Sequence, residues 1–103
     1  MPFPPQRPRL FTRANVEALQ PKQLGCYGLF LRGEWIYVGA GDIRARLLGH
    51  LNNDNPIITR SRPTHWVDVL TADMHGESER LIAELKPTCN VLMADLERSV
   101  KSP

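Results

Sequence analysis

The chain has 103 residues, 42% of them apolar, and a formal net charge of +2. That length supports one hydrophobic core rather than two. The apolar content excludes wholesale disorder, and no apolar run approaches the roughly 18 residues that span a bilayer, so no membrane partner is expected. The first ten residues, MPFPPQRPRL, lack the apolar centre of a signal peptide, which makes a cytoplasmic location the expectation. Cys26 and Cys89 match no metal spacing and are expected as small packed residues. The slight basic balance permits a polyanionic partner without demanding one.

Residues 1–10 hold four prolines and two arginines and read as an extended, mobile basic arm. Thr12 can cap a short helix over residues 13–19, which Pro21 ends. Residues 26–32 and 35–39 are two apolar runs separated by Gly33-Glu34, the pattern of a β-hairpin. If Leu31 faces Trp35, then Leu29 faces Tyr37 and Tyr27 faces Gly39. Period-two alternation then puts both tyrosines on one face as diagonal neighbours. Asp42 is placed to cap a helix over residues 43–51, with Ile43, Leu47 and Leu51 as its buried stripe and Arg46 and His50 on its flank.

The segment NNDNPIITRSRP reads as a loop carrying Arg60 and Arg62. Residues 65–70 read as a third strand. Residues 76–86 read as a helix with Leu81, Ile82 and Leu85 inward, stopped by Pro87, and residues 91–100 as a last helix. There are no internal repeats. Trp35 and Trp66 are expected in or beside the sheet core. Gly25, Gly33, Gly39 and Gly41 are expected first as turn glycines.

Taken in order, Gly25-Cys26-Tyr27, Tyr37-Val38-Gly39, Arg46, His50 and Pro87 to Asn90 form a set that resembles the GIY-YIG nuclease family, in particular the small catalytic domain of excision-repair nucleases. The similarity runs from about Gly25 to Asn90. It implies an α+β fold with a three-stranded antiparallel sheet flanked by helices, spanning residues 24–92. The arm and short helix (1–23) precede it and a helical tail (93–103) follows it. It also implies an endonuclease that hydrolyses DNA phosphodiesters with Mg²⁺ or Mn²⁺, in a setting such as DNA repair. With so little chain outside the motif region, a partner protein, a homodimer or structure-selective cutting would supply targeting.

The implied chemistry is consistent with the residue types. Phosphodiester hydrolysis needs an activated water and charge stabilisation on the phosphoryl oxygens. The resemblance gives Tyr27 the role of base, Tyr37 and His50 those of assistants, and Arg46 that of phosphate clamp, with Arg44 as its fallback. Arg44, Arg60 and Arg62 are candidate backbone contacts for DNA. Gly25, Gly39 and Asn90 are expected in structural roles, Asn90 by holding backbone groups in a turn with its amide.

Two departures from the pattern matter. Ala40-Gly41 stand where some members carry a lysine. Counting back from Pro87 and Asn90 puts Ser78 where the metal-binding glutamate belongs. Glu79 and Glu77 flank it, each about 100° away around the helix, and one of them would have to hold the metal. If neither reaches the site, the alternatives are a catalytically degenerate nucleic-acid-binding module or a protein-interaction domain.

Overall fold

The computed structural model describes residues 3–101. Nine elements follow one another: β1 (Arg9–Leu10), α1 (Arg13–Glu17), β2 (Leu24–Leu31), β3 (Glu34–Asp42), α2 (Ile43–Leu51), α3 (Pro56–Arg60), β4 (His65–Leu70), α4 (Met74–Leu85) and α5 (Thr88–Lys101). The class is α+β. The sheet is antiparallel with order β1-β4-β2-β3, so it has four strands rather than the expected three.

The extra strand comes from the arm, which is docked rather than mobile. Arg9 and Leu10 pair with Trp66 and His65. Gln6 brackets the Asp68 backbone, donating to its carbonyl at 2.8 Å and accepting from its N–H at 3.1 Å. Arg9 donates to the Asp68 carboxylate at 2.8 Å and lies 4.9 Å from the centre of the Trp66 ring. Phe3 is buried and stacks on Trp35 with ring centroids 5.5 Å apart. These contacts offset the ordering entropy that a proline-rich terminus on its own would not.

The central hairpin turns at Arg32 and Gly33, with φ of 51° and 80°, one residue earlier than expected. A two-residue turn between right-twisted strands needs φ > 0 at both central positions, and Gly33 as the second residue meets that need. Tyr27 faces Gly39 and Leu29 faces Tyr37, as the pattern predicts. Ile36 is then an extra residue in β3, so Phe30 faces Trp35 and Leu31 faces Glu34 at the tip.

Alternation divides the core between the two sheet faces. Tyr27, Leu29 and Trp66 pack with Val16, Ile43, Leu47, Ile58 and Cys89 on the face covered by α1, α2, α3 and the start of α5. Cys26, Val38 and Val67 pack with Phe3 and Leu81 on the face covered by α4. Asp42 caps α2 as expected, accepting from Ala45 N–H at 3.1 Å, and its other oxygen accepts from Lys22 N–H at 2.8 Å.

The segment expected as a loop contains α3. Asn55 caps it, Pro56 takes the first turn, where its missing N–H costs nothing, and Ile58 is buried beneath it. α4 begins at Met74 because Asp73 caps it through Gly76 N–H. α5 begins at Thr88, earlier than expected, and runs unbroken through residues 92–93. Among the described residues no helix is long and apolar enough to cross a membrane.

β3 lies at the sheet edge, and Asn90 covers part of it. Its Oδ1 accepts from Val38 N–H at 2.8 Å and its Nδ2 donates to the Val38 carbonyl at 3.0 Å. The amide thus serves a strand rather than a turn. Asn90→Ala strands both backbone groups and is expected to lower stability by about 1–3 kcal/mol, read from the midpoint of urea unfolding. An unchanged midpoint would show that the clamp contributes nothing.

Candidate functional site

Tyr27, Tyr37, Arg46 and His50, drawn from β2, β3 and α2, meet on the face of the sheet that α2 covers. The two tyrosine rings are 6.2 Å apart between centroids, and the His50 ring stands 5.6 Å from Tyr27 and 5.4 Å from Tyr37. The Tyr27 hydroxyl and His50 Nε2 are 2.7 Å apart. Gly39 makes this possible. A Cβ there would overlap the Tyr27 hydroxyl and stand 2.8 Å from a Tyr37 ring carbon, so only glycine leaves room for both phenols.

Sequence reasoning missed Asp54. Its Oδ1 lies 3.0 Å from His50 Nδ1. The turn after α2 delivers it: Asn53 adopts φ 62°, its N–H donates to the His50 carbonyl, and Asp54 N–H donates to the Gly49 carbonyl. This is a Schellman closure with asparagine in the left-handed position. Gly49 leaves space for the carboxylate, since a Cβ there would stand 2.6 Å from Asp54 Oδ2. The available signal was the four-residue spacing of His50 and Asp54 on either side of Asn53.

The protonation pattern follows from the partners. Burial lowers the His50 pKa, with Asp54 opposing, so the ring is neutral at neutral pH. A neutral imidazole has one donor and one acceptor nitrogen. A carboxylate only accepts, so Nδ1–H donates to Asp54, and Nε2 accepts from the Tyr27 hydroxyl. Burial also raises the Tyr27 pKa well above its ordinary value; Tyr37 adds to this and Arg46 opposes it. Tyr27 and His50 are buried, Tyr37 is half-buried and Arg46 is exposed. A ligand therefore meets Arg46 and Tyr37 first, with the Tyr27–His50–Asp54 chain behind them.

The remaining expected site residues lie elsewhere. Glu77 pairs with Arg80, and its charge acts on Cys26, whose thiol is pushed up to about 11 mainly by burial. Cys26 and Tyr27 are consecutive on β2 and point to opposite faces, so Glu77 sits on the side away from the tyrosines. Glu79 is exposed on the same helix, and Ser78 is buried with its hydroxyl donating to the His75 carbonyl. The expected metal carboxylates thus do not join the cluster, because α4 packs through Leu81 on the other face. Among the described residues no three His, Cys, Asp or Glu side chains converge on one point.

Arg60 and Arg62 are exposed around the end of α3, and Arg44 lines a cavity on the far flank of α2. Gly25 is structural: a Cβ there would overlap the Val69 carbonyl of β4. No protein-family model matches the chain, and no curated protein matches it.

Two outcomes follow from this geometry. Gly39→Ala overpacks the phenols and is expected to cost about 1–3 kcal/mol, read by denaturant unfolding. The depressed His50 pKa means that the unfolded chain binds this proton more readily than the folded one. Its contribution to stability is therefore present above the ordinary histidine pKa and is lost as pH falls through that range toward the folded value. His50→Leu, though less stable at neutral pH, is expected to show a shallower fall of Tm on acidification. An acid limb as steep as in the parent protein would rule out His50 as its source.

Proposed function

We propose that the chain is a nuclease-type module that engages the phosphodiester backbone of DNA at Arg46 and Tyr37 and hydrolyses it with the help of the proton chain behind them. The observation that carries this reading is the convergence of Tyr27, Tyr37, Arg46 and His50 from three elements, together with the carboxylate that completes a Tyr–His–Asp relay. Cores are ordinarily filled by apolar groups. A buried phenol aligned through imidazole to a carboxylate supplies acid–base capacity that packing alone does not require.

In this reading Arg46 binds the phosphate with its planar fork and offsets the charge that builds on the phosphoryl oxygens. Tyr37 orients the phosphate or the attacking water. Water attacks phosphorus and the P–O bond to the leaving oxygen breaks, the departing oxygen taking a proton from solvent. Tyr27 passes its hydroxyl proton to His50 Nε2, and its oxygen takes the proton released by the water. Asp54 holds the resulting imidazolium. Among the described residues no carboxylate set fits a magnesium or manganese ion beside Arg46 and Tyr37, since Asp54 is engaged on the far nitrogen of His50, so no step is routed through a metal.

The second reading is a binding module that does not cut. It is favoured by the placement of Ser78, Glu77 and Glu79, which leaves Asp54, among the described residues, as the carboxylate whose charge acts on Tyr27. The deciding experiment is cleavage of supercoiled and branched DNA with Mg²⁺, Mn²⁺ or EDTA. The nuclease reading expects nicking that is lost in Arg46→Ala and in Asp54→Asn but retained in the Glu77→Ala/Glu79→Ala double variant. Salt-sensitive DNA binding without scission would select the second reading. Absence of both binding and scission from the folded protein would remove DNA as the substrate.

A further inference from the structure

A second feature lies on the same face of the sheet, across α2 from the tyrosines. A cavity of about 230 Å³ opens there, lined by Leu19, Gln20, Gln23, Arg44 and Leu70, with Ile43 and the Arg9–Asp68 ion pair also in its wall. It is smaller than the usual drug-sized pocket.

Its charge is uneven. Asp68 is compensated twice, by Arg9 at 2.8 Å and by the Trp66 indole N–H at 2.9 Å. Arg44 has no such partner: among the described residues no carboxylate pairs with it, although it is half-buried. One uncompensated guanidinium thus faces the cavity. Gln20 and Gln23 bring two side-chain amides, each able to donate and accept. Leu19, Ile43 and Leu70 form apolar walls, with Leu70 58% exposed at the rim. One unpaired cation beside the mutually neutralised Arg9–Asp68 pair, two amides and aliphatic walls suit a phosphate joined to a small heterocycle.

The position adds to the argument. Arg44 and Arg46 are two residues apart on α2, so about 3 Å of axial rise and roughly 200° of rotation separate them. They stand on opposite flanks of the first turn, one toward the cavity and one toward the tyrosines.

We infer that this cavity is a nucleotide pocket, in which Arg44 holds a phosphate and Gln20 and Gln23 meet the edge of an unstacked base. This inference rests on the DNA reading only where it places the nucleotide next to the phosphodiester held by Arg46. The pocket admits a single nucleotide taken out of its stack, so it selects strands with an unpaired residue beside the engaged phosphate.

The test is titration of the full chain with deoxyadenosine monophosphate and with inorganic phosphate, followed by NMR shifts. The nucleotide is expected to saturate and to bind more tightly than phosphate. Arg44→Gln should weaken it by at least about tenfold, the loss of one charge-assisted hydrogen bond. Gln23→Leu should narrow the gap between nucleotide and phosphate, and Arg80→Gln, on α4 across the sheet, should leave nucleotide affinity nearly unchanged. Thermal melts establish that each variant is folded.

On DNA, Arg44→Gln should erase the preference for a duplex with an unpaired nucleotide over a fully paired one. Nucleotide binding no tighter than phosphate, or weakened by Arg46→Gln and not by Arg44→Gln, would overturn the pocket. Nucleotide saturation without any DNA binding would keep the pocket, assign it to a free nucleotide, and remove the DNA reading.

Discussion

The rest of the site depends on one hydrogen bond, that between the Tyr27 hydroxyl and His50. A phenol shut away from water must find a polar partner or carry the full cost of its desolvation. Here the partner arrives on α2, which fixes the height and rotation of that helix over the sheet. The bond forms only because β3 carries no side chain at Gly39. It has a direction only because Asp54 holds the other ring nitrogen. Hairpin, helix and the turn after the helix are therefore joined by a single proton-bearing chain, and Arg46, one turn before His50, is placed by the same constraint.

The two faces of the sheet divide the labour. Consecutive residues of β2, Cys26 and Tyr27, enter different cores. The tyrosine side carries the polar relay and the arginines of α2. The cysteine side is an apolar seat for α4, closed by Phe3 and Trp35 from the arm and the hairpin. A residue of α4 can reach the tyrosines only by passing the edge of β3. Leu81 draws the helix onto the cysteine side instead, which is the physical reason that Glu77 and Glu79 do not reach the cluster.

Much of this was legible from local pattern. The Asp42 cap, the limits of α2 and β4, and the diagonal pairing of Tyr27 with Tyr37 follow from capping chemistry and from periods of 3.6 and 2, and these features appear as expected. What was not legible depends on contacts distant in sequence. Nothing near Phe3 or Gln6 shows that they dock on residues more than thirty or sixty positions away, so the arm reads as loose. α3 hides in a segment rich in Asn and Pro because the burial of Ile58, rather than local propensity, stabilises it. Asp54 escapes notice because a left-handed Asn53 redirects the chain, and a motif reading stops at His50. The neighbours of Ser78 look close on a helical wheel, but a wheel does not say which face of the sheet the helix covers.

The grip of Asn90 on Val38 has a consequence for how copies of this chain can meet. A sheet normally invites association by adding a strand at an open border. At one border Asn90 occupies the two backbone groups that would begin such a ladder, beside a β3 already bent by its extra residue. At the other, the outermost strand is two residues long and carries Arg9. A continuous sheet across two molecules is therefore disfavoured at both sides. Helix surfaces are then the readier ground for association, and among the described residues α5 exposes Val91, Leu92 and Leu96.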